Sequence, residues 1–65
     1  MEAFGQHLRE LRKEKGFSQE QLALETGFEL SQIGRIERGT QNTSISHVAA
    51  IAKALNVPVK VLFNF

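Results

Sequence analysis

Apolar positions recur at helical spacing along this chain. Phe4, Leu8 and Leu11 fall at i, i+4 and i+7 and predict a first helix over residues 2–15 with one buried stripe. Lys13 and Lys15 suit its C-terminal end, and Gly16 closes it. Three start signals then coincide. Ser18 suits an N-cap whose hydroxyl accepts from the amide of Gln21, and Gln21 can reach back to complete a capping box. Phe17 and Leu22 fit a hydrophobic staple, and Glu20 suits the positive end of the dipole. This second helix is expected to stop at Thr26, because Gly27 can take the left-handed conformation. A third helix is expected from Leu30 to Arg38, with Ile33 and Ile36 on its inner face and Gly39 ending it. Residues 40–44 are polar and turn-like. Ser44 suits an N-cap for a fourth helix, Ile45–Leu55, with Val48, Ile51, Ala52 and Leu55 facing the core. Asn56 can end it, and Pro58, at a first helical position, is expected to start a short fifth helix through Phe63 with Leu62 tucked inward.

The centre of this pattern is Ser18–Gly39, which reads as helix, tight turn, helix. So few residues join the two helices that they must cross steeply and touch near the bend, where Ala23 is small enough to allow it. A small residue, a glycine four later and two apolar positions three apart make a helix-turn-helix pattern. Around it stand Phe4 with Leu8–Arg9–Glu10–Leu11–Arg12, then Gly16–Phe17–Ser18–Gln19–Glu20–Gln21–Leu22–Ala23, Ile33–Gly34–Arg35–Ile36–Glu37–Arg38–Gly39 and Ile51–Ala52–Lys53–Ala54–Leu55. These four stretches, in register over residues 4–62, resemble the Cro/phage-repressor (XRE) family of helix-turn-helix DNA-binding domains. The resemblance implies an all-α fold, a compact five-helix bundle of the lambda-repressor-like kind, usually acting as a dimer on DNA. It also implies that Arg12 pairs with Glu37. Physically, Glu37 beside Ile33 and Ile36 would face the bundle and need a partner; the alternative is two solvated charges.

Composition narrows the functional classes. A chain of 65 residues is expected to form one domain that buries only about 60% of its unfolded surface. Cysteine is absent, so neither disulfides nor thiolate metal sites can staple it. With 42% hydrophobic and 23% charged residues it reads as globular, not disordered. No secretory signal or membrane-spanning run stands out, and the simplest compartment is the cytoplasm. The formal net charge of +1 does not by itself point to nucleic acid. What bears on nucleic-acid binding is where the charges lie.

In the implied fold the third helix presents Leu30, Ser31, Gln32 and Arg35 to the major groove of double-stranded DNA. Two roles suit Arg35: a fork on guanine O6 and N7, contributing roughly 1–3 kcal/mol of discrimination, or a phosphate contact. Ser31 and Gln32 can bond bases or phosphates. Leu30 can meet a thymine methyl or extend the packing of Ile33. Gln19 stands where free amides make a phosphate clamp, and it can also brace a side chain of the recognition helix. Arg38, Thr40 and Asn42 are further phosphate candidates, with Gln41 a donor in the same loop. Glu29 occupies the usual place of a serine or threonine cap, and either caps weakly or repels phosphate. Gly34 costs up to about 1 kcal/mol inside a helix. A close approach of its backbone to DNA or to the first motif helix would explain it. Thr43 stands where the family often has proline, and Leu24 where a charge is common.

Other chemistry has little support. His7 and His47 lie far apart without cysteine neighbours, so solvated histidines and no metal site are expected. Phosphate-binding glycine loops, nucleophile elbows and metalloprotease motifs are absent, so neither an enzyme nor a cofactor is expected. Val61, Phe63 and Phe65 exceed what a short helix can hide and are candidates for a homodimer interface. The sequence therefore points to a DNA-binding transcriptional regulator, dimeric on an inverted repeat. The rival is an interaction module or antitoxin-like protein that docks a protein partner through the apolar C-terminal end or Leu24.

Overall fold

Each helix of this chain ends where the local sequence offers a residue that tolerates a reversal. The structure, a computed structural model, describes residues 2–65. It contains four α-helices, α1 (Glu2–Glu14), α2 (Gln19–Thr26), α3 (Leu30–Arg38) and α4 (Ile45–Leu55), followed by a 3-10 helix, Val59–Phe63. Ser44 caps α4 by accepting from the amide of His47 at 3.1 Å. Asn56, at φ 58°, ends it in the left-handed region. Ser and Asn do these jobs because their short polar side chains satisfy, or tolerate, the geometry of a helix end.

The expected five-helix bundle is corrected at its last element. Pro58 stands ahead of the final helix as its cap, at φ −63° and ψ 148°, and is not its first residue. The short segment that follows winds as a 3-10 helix, with Val61 N donating to Pro58 O at 3.0 Å. A piece this short gains bonds sooner by closing i to i+3 than by closing i to i+4. It still delivers Leu62 into the core with no exposed surface.

That core is one cluster drawn from every helix. Leu8, Leu22, Ile33, Ile36, Ile51 and Leu62 are fully buried, and Phe4, Leu11, Ala23, Val48, Ala52 and Leu55 complete it. Helix α1 packs on α3 and the 3-10 helix, while α2 packs on α3 and α4. The α1–α3 crossing depends on Gly5, which the sequence pattern did not single out. A Cβ built there would lie 2.4 Å from the carbonyl oxygen of Ile36 and 2.5 Å from that of Glu37. The two backbones meet directly, and only a residue without a side chain fits. A glycine inside an otherwise strong helix was the available signal.

Both histidines depart from the solvated state expected of them. His7 is half-buried, its Nε2 lies 2.7 Å from the carbonyl oxygen of Val61, and its ring stacks near Phe65 at 5.5 Å. His47 meets Phe28 edge to face at 4.9 Å and ties α4 to the turn between α2 and α3. Aromatic neighbours that are distant in sequence supply these contacts, which a linear reading does not reveal.

Candidate nucleic-acid interface

The ends of α2 and the turn into α3 are held by a few local bonds. At the start of α2, Ser18 Oγ accepts from Gln21 N at 3.0 Å and Gln21 Oε1 accepts from Ser18 N at 2.8 Å, a complete capping box. At its end Gly27 takes φ 78°, and its amide donates to Ala23 O at 2.9 Å. Thr26 spans the bend: its hydroxyl donates to Leu22 O at 2.8 Å and accepts from Phe28 N at 3.3 Å. Glu29 then begins α3 through its backbone alone. Its carbonyl accepts from Gln32 N and Ile33 N, but its side chain makes no capping bond. Glu29 is thus the N-cap of α3, and a weaker one for lacking a side-chain bond.

Helix α3 is divided sharply into two faces. Ile33, Gly34, Ile36 and Glu37 are buried. Leu30, Ser31, Arg35 and Arg38 are exposed, and Gln32 is half-buried. Leu30 keeps 45% of its surface, so it only partly extends the packing of Ile33. A period of 3.6 residues places Ser31, Gln32, Arg35 and Arg38 on the side away from the core. Leu30 shares the stripe of Ile33, Gly34 and Glu37 and is exposed because it stands at the first position of the helix. The outer face of α3 therefore offers hydroxyl, amide and guanidinium groups, with an apolar group at its N-terminal edge.

A buried polar network holds this helix at a fixed height. Arg12 Nε donates to Glu37 Oε2 at 2.6 Å and Arg12 Nη2 to Glu37 Oε1 at 3.2 Å. Arg12 Nη1 reaches the carbonyl of Phe17 at 2.7 Å, and Gln19 Nε2 donates to Glu37 Oε1 at 3.0 Å. Both Arg12 and Glu37 keep only 7% of their surface. Fork-to-carboxylate geometry of this kind is directional as well as charged. It joins α1, the α1–α2 loop, α2 and α3 at one point. Gln19 spends its side-chain amide here, bracing α3 through Glu37.

The outward cations are held in two different ways. Arg35 Nε donates to Gln41 Oε1 at 2.8 Å. Arg38 folds back along α3, its Nη1 only 3.1 Å from where a Cβ on Gly34 would sit. The tight neighbour of Gly34 is thus this guanidinium, not the backbone of α2. Arg9, Ser18, Gln19, Glu20, Gly34 and Arg38 line one open cleft that joins α1 to the start of α2 and the outer edge of α3. Arg9 was not among the sequence candidates; its place beside Arg38 follows from the α1–α3 crossing. Thr40 and Asn42 are exposed past the end of α3, and the Thr40 hydroxyl donates to Arg35 O at 3.3 Å. Val61 is half-buried, whereas Phe63 and Phe65 keep 52% and 63% of their surface. Among the described residues no cluster of metal-ligating side chains occurs, and no helix is long and apolar enough to cross a membrane.

A capped helix, a left-handed glycine and a second helix with a polar outer face define a helix-turn-helix protein. The chain belongs to the helix-turn-helix family, whose profile matches residues 8–62. It is 44% identical over 63 residues to control protein C.BamHI of Bacillus amyloliquefaciens, covering 95% of this chain and 78% of that protein. It is 39% identical over 61 residues to the transcriptional regulator SinR of Bacillus licheniformis, covering 92% of this chain but 55% of SinR. Among solved structures, the restriction-modification controller protein C.AhdI of Aeromonas hydrophila superposes with a TM-score of 0.90 at 47% identity, covering 92% of this chain and 91% of that one. The N-terminal DNA-binding domain of SinR from Bacillus subtilis superposes at 0.87 with 35% identity, covering 100% and 96%.

Proposed function

We propose that this chain is a sequence-specific double-stranded DNA-binding transcriptional regulator of the restriction-modification controller type, acting as a homodimer on an inverted repeat. The observation that carries the reading is the outward set on α3, with Ser31, Arg35 and Arg38 exposed while Ile33 and Ile36 are fully buried, and with Leu30 partly exposed at the helix start. In this reading α3 enters the major groove N-terminus first, Arg35 reads guanine, and Ser31 and Gln32 bond base edges or phosphates. Arg38, Thr40, Asn42 and the N-terminal end of α2 at Gln19 hold the phosphate backbone. The Arg12–Glu37 pair keeps the helix in register and touches no DNA.

Dimensions favour a pair of protomers. The domain is 25 Å along its longest axis, whereas successive major grooves on one side of a duplex are ~34 Å apart. One copy with one recognition helix cannot reach both. Phe63 and Phe65, with Val61 beneath them, supply the apolar surface for the second copy. Identity of 47% to C.AhdI and 44% to C.BamHI, against 39% to SinR, supports the controller type.

Selection of bound sequences from random duplexes, followed by a salt titration, tests the proposal. A controller-type regulator enriches a palindrome and loses affinity steeply as salt rises. Failure to enrich any sequence, with no duplex binding at low salt, would return the protein to the class of protein-docking modules.

A further inference from the structure

We propose that Gln41 is a positioning residue that presents Arg35 to the base edges end-on, and so sets specificity without reading a base itself. The inference rests on the reading of α3 as the recognition helix. A guanidinium carries five N–H donors in a planar fork. With Nε donating to Gln41 Oε1 at 2.8 Å, the donors left for a ligand are those of Nη1 and Nη2. A side-on approach through Nε and Nη2 is closed while this bond holds. The open end of the fork is the one that matches the paired acceptors O6 and N7 of guanine.

The position of Gln41 follows from how α3 ends. Gly39 takes φ 77°, which turns the chain back on the last helical turn. Thr40 N then donates to Arg35 O at 3.0 Å and Gly39 N to Ile36 O at 3.1 Å. The Thr40 hydroxyl adds a bond to the same Arg35 carbonyl. The next residue, Gln41, already in the loop past α3, is half-buried and accepts from the Arg35 side chain. An exposed arginine otherwise samples many rotamers, and ordering it beforehand removes part of the cost of binding. Gln41 therefore acts on Arg35 before DNA arrives.

The test uses the duplex recovered by selection and a second duplex in which the guanine that responds to Arg35→Ala is replaced. Discrimination is the ratio of the two affinities at one salt concentration. Gln41→Ala and Gln41→Leu are expected to lower that ratio about tenfold, within the range a bidentate guanine contact supplies. Gln41→Glu keeps an acceptor for Nε and is expected to retain the ratio even where its charge weakens binding to both duplexes. In the Arg35→Ala background, Gln41→Ala is expected to change nothing further. Equal weakening on both duplexes, or an undiminished effect of Gln41→Ala in the Arg35→Ala background, overturns the inference while leaving the DNA-binding reading intact. If the unaltered protein binds no duplex, both fall together.

Discussion

Replacing Glu37 with alanine removes both acceptors from the Arg12 fork and leaves the guanidinium charged in a site that keeps only 7% of its surface. One bond, to Phe17 O, remains to it, and Gln19 Nε2 loses its partner as well. Breaking a buried pair from one side costs roughly 3–5 kcal/mol, because the surviving charge is desolvated and uncompensated. At roughly 0.05–0.15 kcal/mol per residue, a chain of 65 residues holds about 3–10 kcal/mol in total. The loss is thus a large share of what keeps the protein folded. Urea unfolding followed by helical circular dichroism measures it: with a slope near ~1 kcal/mol/M, the midpoint should fall by about 3–5 M. The double variant Arg12→Met, Glu37→Leu removes both charges together and should recover most of that loss, since well-packed apolar replacements of buried pairs are often neutral or better. A loss under ~1 kcal/mol for Glu37→Ala, the range of exposed ion pairs, would refute the reasoning. So would a double variant no more stable than the single one.

The other expectations follow from the same geometry. Gly5→Ala should lower stability by about 1–3 kcal/mol in the same urea assay, because its Cβ would stand 2.4 Å from a backbone oxygen that cannot give way. Gly34→Ala should instead leave stability level or raise it by up to about 1 kcal/mol. There the neighbour, 3.1 Å away, is the mobile end of Arg38. Arg38→Ala should weaken binding similarly on all duplexes and reduce the salt slope by about one per protomer, read from titrations at several salt concentrations. Phe65→Asp should shift sedimentation from dimer to monomer with the helical content unchanged. A dimer that persists in that variant would remove Phe65 from the interface.

Helix boundaries were legible in the chain because their causes are local. Ser18 with Gln21, Gly27, Ser44 and Asn56 each act within one turn of the position they control. The stripe of Phe4, Leu8 and Leu11 needed only helical periodicity. Glu29 fits its expectation as a weaker cap, because residue type at a cap position is a preference and here the backbone suffices. The 3-10 winding after Pro58 was hidden because a short apolar run carries too little periodicity to separate two kinds of helix.

What the amino-acid order determined by itself is therefore where the helices start and stop, which face of each is apolar, and which cations lie in the last turn of α3. The tertiary structure alone decided how those helices meet. Gly5 touches the carbonyls of Ile36 and Glu37, Arg12 reaches Glu37, Arg9 comes beside Arg38, and both histidines find aromatic neighbours. Capping and periodicity are fixed by bonds spanning a few residues, so they are written along the chain. Contacts between residues many positions apart depend on crossing angles set by the whole core at once, and no short stretch encodes them.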